Sequence, residues 1–213
     1  MNTLKQRNGE NLDMDSAREQ VRQAGYSLVE LSIVVIILLV VSAFAMPTLL
    51  TALGNMRLRS SASDVAALIQ EIRMRAVRDN RFQIGACRPT NDCNLAWLDL
   101  DRGGNPDPLE PQLQLSGGVR LVPDGSGNPA LPQATVGFAP TSNVPPAFNP
   151  SGMPCLLNNS TPSLATVCSS VPPAGFAYFL RAQGTSGVAG WAAVSVSPAG
   201  RVRVWTWSGT QWR

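Results

Sequence analysis

A chain of 213 residues with a formal net charge of +3 suits one modest domain plus a targeting and membrane segment, and leaves little room for a second large core. So small a net charge does not announce a nucleic-acid binder, a claim that only a local basic face could carry. With no histidine, no nucleophile motif and no phosphate-cradling glycine loop, a conventional catalytic site has nothing to be assembled from, and neither an enzyme nor a cofactor is expected.

Before Gly25, the charges Lys5, Arg7, Arg18 and Arg22 mix with Glu10, Asp13, Asp15 and Glu19, and no apolar run separates them. This is not an ordinary secretory signal. Met14 offers an alternative start with a shorter leader. The next stretch, GYSLVELSIVVIILLVVSAFAMP from Gly25 to Pro47, sets one carboxylate, Glu30, at the lip of an apolar run from Leu31 to Met46 that only Ser32 and Ser42 interrupt. No charge follows until Arg57. The uncharged span of about 26 residues, at roughly 1.5 Å each, reaches about 39 Å and so exceeds a hydrocarbon core of about 30 Å. A charge near the bilayer centre costs roughly 2.5–3.5 kcal/mol, so Glu30 needs a partner. Arg18 and Arg22 put the leader on the cytoplasmic side by the positive-inside tendency, and the rest of the chain outside.

These residues resemble the type IV prepilin and pseudopilin family, in which a specialised peptidase cuts after a glycine and methylates the new amino terminus. The resemblance implies cleavage after Gly25, an N-methylated Tyr26 where the family usually has Phe, and a helix-kinking role for Pro47. It also implies that Glu30 pairs with the methylated amino group of a neighbouring subunit in a filament. The partners it implies are prepilin peptidase, other pilins or pseudopilins, and inner-membrane lipid before assembly. The implied placement is single-pass in the inner membrane, with the globular domain in the periplasm or outside the cell in the filament. The expected organisation is a leader at 1–25, a transmembrane and assembly helix at 26–56, an amphipathic continuation at 57–80 and a β-rich domain at 81–213.

Pro47 and Gly54 mark the region from Met46 to Asn55 as the place for a bend or local melting. Beyond it, Leu58, Ala62, Val65, Ile69, Ile72 and Ala76 recur at helical spacing and predict one face packed on a sheet. Arg57, Arg59, Arg73, Arg75, Arg78 and Arg81 fall largely elsewhere and read as a solvated face, with Glu71 and Arg75 spaced for an ion pair worth a few tenths of a kcal/mol.

After Asn80 the period becomes two. Phe82, Ile84 and Ala86 alternate, as do Ala96, Leu98 and Leu100, Leu113 and Leu115, Val119 and Leu121, and Val136 and Phe138. Stretches rich in Gly, Pro, Asn and Ser separate them, and the loop from Thr141 to Pro173 is long enough to be the most mobile part. The expected fold is α+β, a long N-terminal helix packed on an antiparallel sheet of short strands.

Cys87 and Cys93 lie in one turn-rich segment, Cys155 and Cys168 in another, so local pairing is favoured among the three connectivities and fits an oxidising compartment. A four-cysteine zinc site is the alternative, though neither spacing is the close CxxC kind. Asp99, Asp101, Asn105 and Asp107 cluster around a glycine turn somewhat as in a calcium loop, without the closing glutamate; a plain β-turn is the simpler reading.

Near the carboxy terminus, Val194 and Val196 lead through SPAG into strict alternation, with Arg201, Arg203, Trp205 and Trp207 on one strand face and Val202, Val204 and Thr206 on the other. Cations beside aromatic planes suit sequence-tolerant nucleic-acid contact; they also suit a core edge or a subunit interface. The passages IRMRAVRDNRFQIGAC, CRPTNDCNLAWLDLD and VSVSPAGRVRV resemble the GspH/FimT branch of minor pilins and pseudopilins. That resemblance implies a structural subunit of a type II secretion pseudopilus or a type IV pilus. In FimT-like members a GRxR motif, matched here by Gly200, Arg201, Val202 and Arg203, is associated with DNA binding during uptake, which makes DNA an alternative partner.

Overall fold

A computed structural model describes residues 26–86, 93–101, 103–142, 144–157, 168–169, 175–184 and 187–213. By its internal contacts the chain divides at Phe44 and Ala45 into two units. Helix α1 (Leu28–Arg78) opens with the Leu31 N–H donating to the Ser27 carbonyl, and Glu30 in its first turn complements the positive end of the helix dipole. It runs uninterrupted through Pro47 and Gly54, so the expected local melting is absent. At its end Arg75 and Arg78 suit the negative pole. Asn80 turns left-handed at φ 48°, and the Asn80 and Arg81 N–H groups donate to the carbonyls of Val77 and Ala76, the hydrogen bonds of a Schellman cap.

The strands are β1 (Gln83–Ala86), β2 (Leu95–Asp99), β3 (Gln112–Gln114), β4 (Val119–Val122), β5 (Ala147–Phe148), β6 (Leu156–Leu157), β7 (Cys168–Ser169), β8 (Phe176–Gly184), β9 (Gly187–Val196) and β10 (Val202–Thr206). They form three antiparallel sheets, ordered β3-β2-β1-β5, β10-β9-β8-β4 and β6-β7. Paired backbone hydrogen bonds between Cys93 and Leu121 stitch the first sheet to the edge of the second.

All six residues of the expected α1 stripe are buried, packed with Leu98, Phe148, Phe176, Tyr178, Leu180, Val194 and Val196. Gly85 lets the helix come this close, since a Cβ there would lie 2.5 Å from Ile72 Cδ1. The second sheet also carries a core on its other face, built from Val122, Leu131, Ala177, Phe179, Ala193 and Trp212. Buried on both faces, the start of β8, FAYFL, has no polar alternation.

Three expectations change. Val136 and Phe138 do not form a strand: Gln133–Val136 is a single helical turn, α2, entered from Pro132 and closed by left-handed Gly137 at φ 84°. The strands are not all short, since β8 and β9 have 9 and 10 residues. The connection expected from Thr141 to Pro173 holds three two-residue strands, and a disulfide joins Cys155 to Cys168.

The Tyr178 hydroxyl is buried without a hydrogen-bond partner among the described residues, and burial pushes its pKa well above the ordinary value. An unpaired buried polar group costs about 1–3 kcal/mol, so Tyr178→Phe should stabilise the fold by about 1 kcal/mol at neutral pH. The folded hydroxyl keeps its proton where the unfolded chain loses it. Its linkage contribution is therefore constant below a pH of about 10 and is lost as pH rises further. Chemical denaturation at pH 7 and pH 11 checks both points; a Tyr178→Phe variant less stable than the parent, or with the same alkaline loss, contradicts them.

Candidate functional site

From Tyr26 to Met46 every side chain is exposed, right round the helix. Ile37 is 56% and Leu39 65% exposed. A helix apolar on all faces needs an apolar surround, and among the described residues α1 is the one helix long and apolar enough to cross a membrane. Its polar atoms are partly folded away: Ser32 Oγ donates to the Val29 carbonyl at 2.7 Å and Thr48 Oγ1 to that of Ala45 at 2.8 Å. Glu30 is exposed in the first turn and Tyr26 just precedes the helix. Gly25 lies outside the described residues, and Pro47 is part of α1.

Arg73 is not on a solvated face as expected. It is half-buried, with Nε donating to the Gly152 carbonyl at 2.9 Å and one terminal nitrogen to the Gly200 carbonyl at 2.9 Å. One side chain thus fastens α1 to two turns far apart in sequence. Gly200 sits at φ 78°, and a Cβ there would lie 2.9 Å from the Arg73 guanidinium carbon. The glycine of the GRVR motif therefore has a structural reason to be there. The sequence signal was available, since Arg73 directly follows Ile72 and borders the buried stripe. Glu71 and Arg75 form the expected pair at 2.7 Å.

Strand β10 is an edge strand of its sheet, after a turn in which the Gly200 N–H donates to the Ser197 carbonyl. The two faces separate as the alternation demands: Val202 packs toward α1, whereas Trp205 and Trp207 pack with Trp191 on the opposite core. Arg201 and Arg203 are exposed, with the Arg203 guanidinium 5.6 Å from the centre of the Trp205 ring. The tryptophans are half-buried. Trp205 Nε1 donates to Ser195 Oγ at 2.8 Å, and Trp207 lies 5.4 Å from Trp212, ring centre to ring centre. Trp212 anchors this cluster by donating to the Ala130 carbonyl. The site thus offers two exposed cations, in none of the ion pairs among the described residues, beside rings already engaged in packing.

The acidic loop gathers Asp99, Asp101 and Glu110, with one carboxylate oxygen of each within 4.8 Å of the others; Asp107 is not in that group. Sequence spacing did not point to Glu110, which the pairing of β2 with β3 brings back. The carboxylates hold the loop's own backbone: Glu110 accepts from the Leu100 and Asp107 N–H groups, Asp99 from Gly104 and Asp101 from Gly103. That is the work of a turn. The Cys155–Cys168 disulfide, with Cα atoms 5.5 Å apart, takes two of the four thiols a zinc site would need. Cys93 is also disulfide-bonded, and Cys87 lies outside the described residues.

The family described as type II transport protein GspH matches residues 61–200. Among solved structures, the chain is similar to the type IV minor pilin FimU of Pseudomonas aeruginosa, at 15% identity over 75% of this chain and 94% of that one, with a TM-score of 0.45. It is similar also to the minor pseudopilin EpsH from the type 2 secretion system of Vibrio cholerae, at 14% identity over 73% of this chain and 99% of that one, with a TM-score of 0.38. No curated protein matches the chain in sequence.

Gly200→Ala should lose about 1–3 kcal/mol of stability, because it forces a left-handed alanine against Arg73. Arg73→Met should also destabilise, by stranding two partly buried carbonyls. Thermal melts of both variants beside an Arg201→Gln, Arg203→Gln double variant check this, the last being expected to melt like the parent. An unchanged melt for Gly200→Ala contradicts the tie.

Proposed function

The chain belongs to the type II transport protein GspH family, and from that membership we propose that it is a minor pilin-like subunit of a type II secretion pseudopilus or a type IV pilus. Prepilin peptidase cuts it after Gly25 and methylates Tyr26. The helix at 26–56 holds it in the inner membrane with the β-rich domain in the periplasm, and the same helix then packs among the helices of other pilins or pseudopilins. The observation that supports this most is the apolar stretch of α1 up to Met46, exposed on all sides, with one acid in its first turn. Such a surface is satisfied first by lipid and then by like helices, and Glu30 acquires a cationic partner only in the second setting. Mass spectrometry of the mature chain tests the processing step. A terminus at Tyr26 carrying one added methyl group is expected; a retained leader or another terminus overturns it.

A second reading, contact with DNA, draws on the exposure of Arg201 and Arg203 at an edge strand. Because Trp205 and Trp207 are half-buried, the contact would be to phosphates rather than by base stacking. The family match ends at Gly200, before both arginines. Arg201→Gln with Arg203→Gln should weaken binding to duplex DNA and lower its salt slope by about 1.8. Equal retention by parent and variant, or none by the parent, removes this reading.

A further inference from the structure

The uncharged run of α1 ends at Met56, and Arg57 is the first ionic residue after it. Taking the membrane placement proposed above as its basis, about 20 helical residues cross a hydrocarbon core of about 30 Å, so the last few of the run reach headgroup level together with Arg57. Beside these residues lies a cleft of about 430 Å³ between α1 and the end of the β8–β9 hairpin. Leu50, Leu53 and Val188 line it, glycines 117 and 118 leave part of it unfilled, and Arg57 is the one ionisable side chain among its described residues. Arg57 is exposed and forms none of the ion pairs among the described residues.

We propose that this cleft binds one anionic glycerophospholipid from the adjoining leaflet, with its phosphodiester on Arg57 and an acyl chain along Leu50, Leu53 and Val188. The occupant follows from the chemistry. A cleft that sets Leu50, Leu53 and Val188 beside polar lining from Thr51 and Gln183, with Arg57 in none of the described ion pairs and at headgroup level, complements a single-charged amphiphile that has an apolar chain and a polar ester region and that the membrane supplies at high local concentration. A zwitterionic headgroup would bring its ammonium against a site without a carboxylate. Bound there, the lipid bridges the helix and the hairpin while the subunit awaits assembly.

The test uses the full chain in nanodiscs of mixed phosphatidylglycerol and phosphatidylcholine, followed by native mass spectrometry of the ejected protein. The parent should retain phosphatidylglycerol in preference, and Arg57→Gln should lose that preference by about fivefold. Arg59→Gln, which alters a neighbouring cation outside the cleft lining, should keep it. Equal retention by the parent and Arg57→Gln overturns the site, as does an equal loss with Arg59→Gln, which would mean juxtamembrane charge alone. A chain that fails to enter nanodiscs overturns the membrane placement itself, an outcome read from incorporation before any lipid is counted.

Discussion

The controlling constraint is an apolar surface that the chain leaves uncovered. Side chains from Tyr26 to Met46 are exposed on all sides of α1, and none of the described residues shelters them. Each buried square ångström of such surface is worth about 25 cal/mol, so the cover must come from lipid or from other helices. Glu30 makes the choice between them matter. In lipid the carboxylate is an expense of roughly 2.5–3.5 kcal/mol toward the bilayer centre, whereas in the filament proposed above it would meet a neighbour's amino terminus. The hydroxyls of Ser32 and Thr48 already turn back onto their own helix, which leaves the carboxylate as the principal polar demand at the start of the span.

The second unit, from Ala45 onward, solves a different problem by ordinary packing. One stripe of α1 covers the β10-β9-β8-β4 sheet, and a tryptophan-rich cluster covers its reverse side. Arg73 then fixes the helix to the turns at Gly152 and Gly200. This bears on how GRVR is understood. Its glycine is required by the guanidinium behind it, so only the two exposed arginines are left to carry any external contact.

Patterns that rest on a single local period were legible in the sequence. The six-residue stripe of α1, the Glu71–Arg75 pair and the early strands all follow from spacing alone. Legibility failed where burial came from two directions at once. FAYFL in β8 lacks alternation because cores lie on both its faces. Trp205 and Trp207 take the core-edge place that their alternation also allowed, packed with Trp191 and Trp212. Glu110 was missed because strand pairing rather than sequence spacing carries it to Asp99 and Asp101. The apparent alternation of Val136 and Phe138 lost to Pro132 and Gly137, whose backbone preferences set a helical turn instead.

The most direct test of the central claim is the incorporation of Glu30→Ala into fibres assembled with partner pilins, normalised to the amount of processed chain in the membrane. Membrane levels should match the parent, because removing a charge does not weaken an apolar anchor. The share in fibres should fall by about tenfold or more, since a neighbour's amino group is left unpaired in an apolar interior. Parental incorporation of Glu30→Ala would contradict the pairing on which the account depends.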